Sequence, residues 1–555
     1  MMLSSGAESG PDRVVPAPGP RPDPADAERY RRTGWWGDRT LGEIVAGHAA
    51  ARPDAAAYVT GSGVTTWAEL DRSATVLAQV LVGLGLDRGD RVAVLLPDTA
   101  IVHVALHALQ RAGLVAMGIG ARAGAAEIVH LVERSGARAL VTATSRIGEI
   151  AVSTEHHVVV PDGPLTVAAQ VLVDGRPATP AALPSALALG PDELFLLNST
   201  SGTTGLPKCV MHTQNRWIAY HRMAVEAGGF RDDEVFMSLL PAPFGFGLWT
   251  AHFTPTLLGR PTVVMERFDA DAALDLVERE RVTVLCCVST QFIMLLNAQA
   301  ERPRDLSSLR SMFTGGEAVP YERAAEFEAA TGASVLQFYG SNETGALSRT
   351  TATDDRDRRL RTAGRVIEEM QVRLFDPETG ADITGSGRPG QPACRGPVTC
   401  LGYWADPDAD AELFTDDGWM LMGDIVEIDP DGYLTVVGRT SDFIIRGGKN
   451  ISAPAVEAEV GTHPAVGMVA AVAWPDPVFG ERVCVYVELR AGAGLELDDL
   501  VAHLSARGVS REWFPERLVV VDELPRSSGG KVAKGELRAD AARRAAVVGR
   551  AEAPS

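Results

Sequence analysis

Long apolar runs are missing from this sequence of 555 residues. The best candidate, VTVLCCVSTQFIMLL, is shorter than the roughly 20 residues a bilayer-spanning helix needs, and polar side chains interrupt it. An excess of basic residues is missing too: 52 Lys and Arg stand against 72 Asp and Glu, a formal charge of −20. Proteins that grip nucleic acid hold its phosphates with surplus cations, so no nucleic-acid partner is expected. No two of the six cysteines, Cys209, Cys286, Cys287, Cys394, Cys400 and Cys484, have the two-residue spacing of a zinc knuckle or a redox pair. Reduced, buried thiols are the expectation. No apolar core of an export signal precedes or follows Arg31-Arg32, where TGWWGD comes next, and a cytoplasmic location with no membrane partner is expected.

Several catalytic signatures are missing as well. There is no Gly-x-Ser-x-Gly nucleophile elbow. His156-His157 precedes Asp162-Gly163 by one residue too many for a twin-histidine acyltransfer motif, and HHVVV reads as a strand. GSGRPG at 385–390 has the spacing of a dinucleotide fingerprint, but proline falls where a helix should begin. TSGTTGLPK at 200–208 is not a Walker loop, because Lys208 lies between Pro207 and Cys209.

What is present has the pattern of an α/β protein. Helical periodicities such as LGEIVAGHAAARP and ELDRSATVLAQVLVGLG alternate with short β-branched runs such as RVAVLLP, ALVTAT and TVLCCV. Residues 1–28, rich in Pro, Gly, Asp and Ala without periodicity, are expected to form a disordered tail. A large multi-sheet domain is expected over 29–438, a hinge at 439–441 and a small mobile α+β domain over 442–555. In that last segment PAVEAEVGTHP and DDLVAHLSARG read as helices, and GMVAAVAW, RVCVYVEL and RLVVVDEL as strands.

The chemistry concentrates in six polar loops in a set order: TSGTTGLPK, FTGGEAVP, YGSNETG, DGWMLMGD, GRTSDFIIRGGKNISAPAVE and PRSSGGKVAK. Glycines let the backbone close on an anion, and hydroxyls add donors, so the first loop suits a phosphate. Taken together the six resemble the adenylate-forming superfamily of acyl-CoA synthetases, aryl-acid-activating enzymes, peptide-synthetase adenylation domains and luciferases, from about Tyr30 to about Arg538. The resemblance implies activation of a carboxylic acid by ATP and Mg2+ as an acyl-adenylate, with pyrophosphate released. It implies that Thr200, Ser201, Gly202, Thr203, Thr204 and Lys208 clamp the β- and γ-phosphates. It places Tyr339 against adenine, with Gly315, Gly316 and Glu317 lining the base, and adds Gly340, Ser341 and Asn342 to the ATP site. Asn342 departs from the usual threonine, and Cys209 from the usual glycine. Glu343 is implied to hold Mg2+, Asp424 and Arg439 to contact the ribose, and Lys531 to neutralise the attacking carboxylate. Ser441 stands at the pivot, where Asp or Lys is more usual. Arg446, Gly447, Gly448 and Lys449 are implied to line a thiol's path once the small domain rotates.

The acid site is implied at LPAPFGFGLW, with Phe244, Gly245, Phe246 and Trp249 facing Ser289, Thr290 and Gln291. Gly245 stands where α-amino-acid enzymes keep an aspartate, so an α-amino acid is not expected, and a mainly apolar pocket is. RYRRTGWWGDRTLGEIV and REWFPERLVVVDELPR resemble the aryl-acid and cyclohexanecarboxylate branch most. The expected product is a coenzyme A thioester of an aryl, cinnamic or alicyclic acid. Loading of a carrier protein's phosphopantetheine, and a non-thiol acceptor through amine ligation or nitrite-dependent diazotisation of an aromatic amine, remain alternatives. A monomer or homodimer is expected.

Overall fold

The computed structural model of the chain describes residues 24–61, 63–146, 152–200, 207–316, 319–377, 379–439, 443–446, 449–476, 480–526 and 531–551. The first helix, Pro24–Arg32, begins inside the segment that composition assigns to a tail; it buries Tyr30 against Trp36, which a low-complexity reading misses.

Two large sheets dominate the described residues. One runs 209–213, 194–199, 115–118, 91–95, 139–143, 156–160, 172–173, 176–177, and the other 365–366, 345–349, 334–341, 311–315, 284–286, 236–238, 262–264, 56–60, 63–66. Their central strands pair in parallel. Strands buried on both faces read as continuous apolar runs, which is why Arg91–Leu95 and Ala139–Ala143 lack alternation. Helices cover the faces, and two of them start on full capping boxes, Thr40 with Glu43 and Thr66 with Glu69. The helix Ala100–Arg111 is buried from Ile101 through Gln110. That places His103 and His107 in the interior, against His252.

The C-terminal sheet orders its strands as 449–452, 443–446, 480–489 and 466–476, with 517–521 pairing in parallel on 480–489. Alternation sorts its two faces. Val483, Val485 and Val487 pack with Val456, Leu500 and Leu504. Met468, Val472, Trp474 and Tyr486 pack with Leu537 and Ala541 of the last helix, in one buried cluster with Phe292 and Leu296 of the larger part. Arg526 Nη2 lies 3.6 Å from the sulfurs of both Met294 and Met468, so thioethers cushion the seat of the small domain.

Candidate active site

In an open α/β sheet, ligands bind beyond the carboxyl ends of the strands. Three of the expected loops leave there. TSGTTGLPK connects Leu194–Ser199 to Cys209–Thr213, an antiparallel pair whose ends are tied by Thr200 N–H to Lys208 O at 3.1 Å and Lys208 N–H to Thr200 Oγ1 at 3.3 Å. Ser201, Gly202, Thr203 and Thr204 lie outside the described residues. Lys208 Nζ is 4.9 Å over the Tyr403 ring and 3.9 Å from Glu412. Cys209 is buried in the strand beside Met117, and burial pushes its thiol up to about 12, so it is inert packing. All six cysteines are free and buried, as the spacing led one to expect.

In the parallel strands Ser311–Gly315 and Ser334–Ser341 Gly315 pairs with Phe338, and Gly340 pairs with Ala346 of the next strand. Gly316 has a φ of 77°, which a side chain would strain. A methyl group there would stand 2.8 Å from Lys531 Nζ, so the C-terminal lysine is delivered to this glycine turn. Glu317 lies outside the described residues. Tyr339 Oη donates to Asp424 Oδ2 at 2.8 Å. Ser341 ties the following turn: its Oγ accepts from Glu343 N–H and Thr344 N–H, both at 3.1 Å. Glu343 Oε1 accepts from Tyr403 Oη at 2.6 Å, which holds one carboxylate oxygen and drives the phenol pKa upward through burial and that neighbouring charge. The side chains of Arg439 and Lys449, and all of Ser441, Gly447 and Gly448, lie outside the described residues. Arg446 makes a bidentate pair with Glu516, at 2.9 and 3.0 Å, inside the small domain.

On the acid side, Leu248–Phe253 forms a π-turn after Gly245–Gly247. Phe246 stacks on Trp249 at 5.4 Å, and Trp249, 2% exposed, wedges edge-on against Phe313 and Phe338. Phe246 is therefore partly exposed, with the buried Trp249 as its support. Ser289 Oγ, at the start of the helix Ser289–Glu301, and Thr314 Oγ1, in the strand Ser311–Gly315, are buried without a hydrogen-bond partner among the described residues. Thr290 and Gln291 are buried beside them. Gln291 is fully engaged with the protein main chain. Its amide caps Val288 N–H at 3.1 Å and donates to Leu239 O at 2.8 Å, so it braces the two loops.

A polar group also meets this segment. A methyl group on Gly245 would stand 2.9 Å from Asn342 Oδ1, which turns the Asn342 side chain toward the acid segment. Asn342 pairs with the buried Asn198, Asn198 with His212, and His212 with Arg216. Arg216, 1% exposed, closes its fork on main-chain carbonyls: Nη2 on Asn342 and Glu343 at 2.6 and 3.2 Å, and Nε on Val398 at 2.5 Å. Sequence reasoning passed over Asn198, His212 and Arg216.

The AMP-binding enzyme family matches residues 45–404, and the AMP-binding enzyme C-terminal domain matches 455–531. The chain belongs to the AMP-binding enzyme family. A 2-hydroxy-7-methoxy-5-methyl-1-naphthoate–CoA ligase from Streptomyces carzinostaticus is 35% identical over 553 residues, 96% of this chain and 98% of that protein. A medium-chain fatty-acid–CoA ligase from Escherichia coli (strain K12) is 32% identical over 534 residues, 93% of each chain. ATP-bound MatB from Rhodopseudomonas palustris superposes with a TM-score of 0.77 at 28% identity, covering 91% of this chain and 99% of that one. The expected superfamily, α/β fold and AMP-forming acid ligation are thus borne out as family properties. Among the described residues no helix is long and apolar enough to cross a membrane.

Proposed function

We propose that the protein adenylates an aryl, cinnamic or alicyclic acid with ATP, releases pyrophosphate, and transfers the acyl group to the thiol of coenzyme A. The observation that carries this reading is Lys531, set against the Gly316 turn. A cation at that point neutralises the acid's carboxylate as it attacks the α-phosphate, and such a preorganised charge lowers the barrier by about 3 to 4 kcal/mol. Lys208 and the loop 200–204 align the outer phosphates, Asp424 takes the ribose hydroxyls, and Tyr339 takes the base. Arg439 adds to the ribose contact. The donor set fits Mg2+: Glu343 is a hard oxygen ligand with one oxygen held by Tyr403. Bound Mg2+ would offset phosphate charge. After adenylation, Ser441 serves as the pivot, and Arg446, Gly447, Gly448 and Lys449 flank the entering thiol. A 35% identical aryl-acid–CoA ligase supports both the acid class and coenzyme A as acceptor.

Pyrophosphate release with Mg-ATP, measured over aromatic, cinnamic, alicyclic and fatty acids, tests the reading. Each acid is run with coenzyme A, without it, with a phosphopantetheinylated carrier protein, and with nitrite. Acid-dependent release followed by a coenzyme A thioester is expected. Release with transfer only to the carrier protein, or only with an amine or nitrite, reassigns the acceptor.

A further inference from the structure

We infer that Asn342 reads a neutral hydrogen-bond donor on the acid, an arylamine or phenolic hydroxyl, through its Oδ1 above Gly245, and that Arg216, His212 and Asn198 are positioning residues that fix the orientation of that amide. The inference rests on the acid ligation proposed above and on the acid site that the family resemblance implies at the Phe244–Trp249 segment.

The direction of the relay follows from donor and acceptor inventory. Arg216 only donates, so His212 Nδ1, 2.5 Å from Nη1, accepts and the ring proton sits on Nε2. Nε2–H donates to Asn198 Oδ1 at 2.7 Å. That oxygen also accepts from Asn342 Nδ2 at 2.7 Å. Asn342 Oδ1 is left with one long bond, 3.3 Å from Asn198 Nδ2, and is the atom that faces Gly245. A carbonyl oxygen has two lone pairs, so one is open to a substrate donor. Gly245 is what exposes it, since a Cβ would press on the oxygen at 2.9 Å. Asn198 and His212 are fully buried, so the relay is shielded from competing water. An ammonium is disfavoured because the Arg216 cation donates directly to the same residue's main chain at 2.6 Å.

The experiment compares kcat/KM for pyrophosphate release with aminobenzoates and hydroxybenzoates, substituted ortho, meta and para, against the matching methoxybenzoates and benzoate. Binding of the corresponding acylsulfamoyl-adenosine analogues gives a readout without turnover. We expect one donor-bearing isomer to be preferred about tenfold or more over its methoxy and unsubstituted counterparts. Asn342→Leu and His212→Leu should erase the ratio, and His212→Gln, which keeps a donor to Asn198, should restore it. Equal use of methoxy and donor rings, or a ratio that survives Asn342→Leu, overturns the inference. So does activity confined to fatty or alicyclic acids, which leaves the ligase reading standing. Absence of pyrophosphate release with every acid overturns the ligase reading itself and this inference with it.

Discussion

Tyr339 donates its phenolic hydrogen to Asp424 across 2.8 Å, joining residues 85 positions apart that the proposed function assigns to base and ribose. The bond orients one carboxylate oxygen before any nucleotide arrives. Tyr339→Phe keeps the ring and loses that orientation. Its KM for ATP should rise about tenfold, as befits one charge-assisted hydrogen bond, with little change in kcat. Steady-state kinetics at saturating acid check this; an unchanged KM would separate the pair from nucleotide binding.

Lys531 and Gly316 should act together. Lys531→Ala is expected to slow pyrophosphate release about 100-fold or more. Gly316→Ala places a methyl group 2.8 Å from Nζ on backbone at a φ of 77°, so it should slow the same step. Thioester formation from supplied acyl-adenylate should suffer far less in both. Equal losses in the two half-reactions would remove the lysine from its assigned step.

Arg216→Met takes the guanidinium from the carbonyls of Asn342 and Val398, while that of Glu343 keeps Cys400 N–H at 2.8 Å. Each such loss costs about 1 to 3 kcal/mol. Urea denaturation should show a loss of at least about 2 kcal/mol, whereas a change under about 0.5 kcal/mol would mean that water or a neighbour replaces the guanidinium.

Burial holds the pKa values of His103, His107 and His212 well below the ordinary 6.5, that of His221 at about 4 and that of His252 at about 3. These rings protonate in the unfolded chain first. Their contribution to stability is therefore full above pH 6.5 and lost as pH falls from there toward 4. Asp98, raised to about 7 by burial, acts in the opposite sense but is one group against five. Thermal unfolding followed from pH 7.5 to 5 should show a steep fall in Tm below about pH 6. A flat profile would contradict the dry environment of the rings.

The loops were legible because anions and a moving carboxylate demand particular residues at short spacing. The chain has only four lysines, and all of them, Lys208, Lys449, Lys531 and Lys534, fall in those loops. Strands and helices were legible where one element's own burial pattern carries the signal, as in Val466–Asp476 with its partner Gly480–Leu489. The relay beneath the acid segment was not. It links Asn198 to Asn342 across 144 positions, and no local pattern distinguishes a buried asparagine from a turn residue. The partners of Gln291 were hidden for a related reason: its sequence position names a polar side chain, but only the fold shows that its amide is bonded to Val288 N–H and Leu239 O. The first helix went unread because Pro24–Arg32 is held by one buried tyrosine and not by a repeating apolar stripe.

The π-turn at Leu248–Phe253 carries one residue more than a regular helical turn would. Adding or removing a residue in a helix rotates everything beyond it by about 100°. A single-codon insertion or deletion in this turn would therefore set a different side chain against Phe246 in place of the buried Trp249, in a segment separate in sequence from the phosphate loop, Asp424 and Lys531. Descendants of this gene can change diet by altering length in one place, leaving the engine that burns ATP untouched.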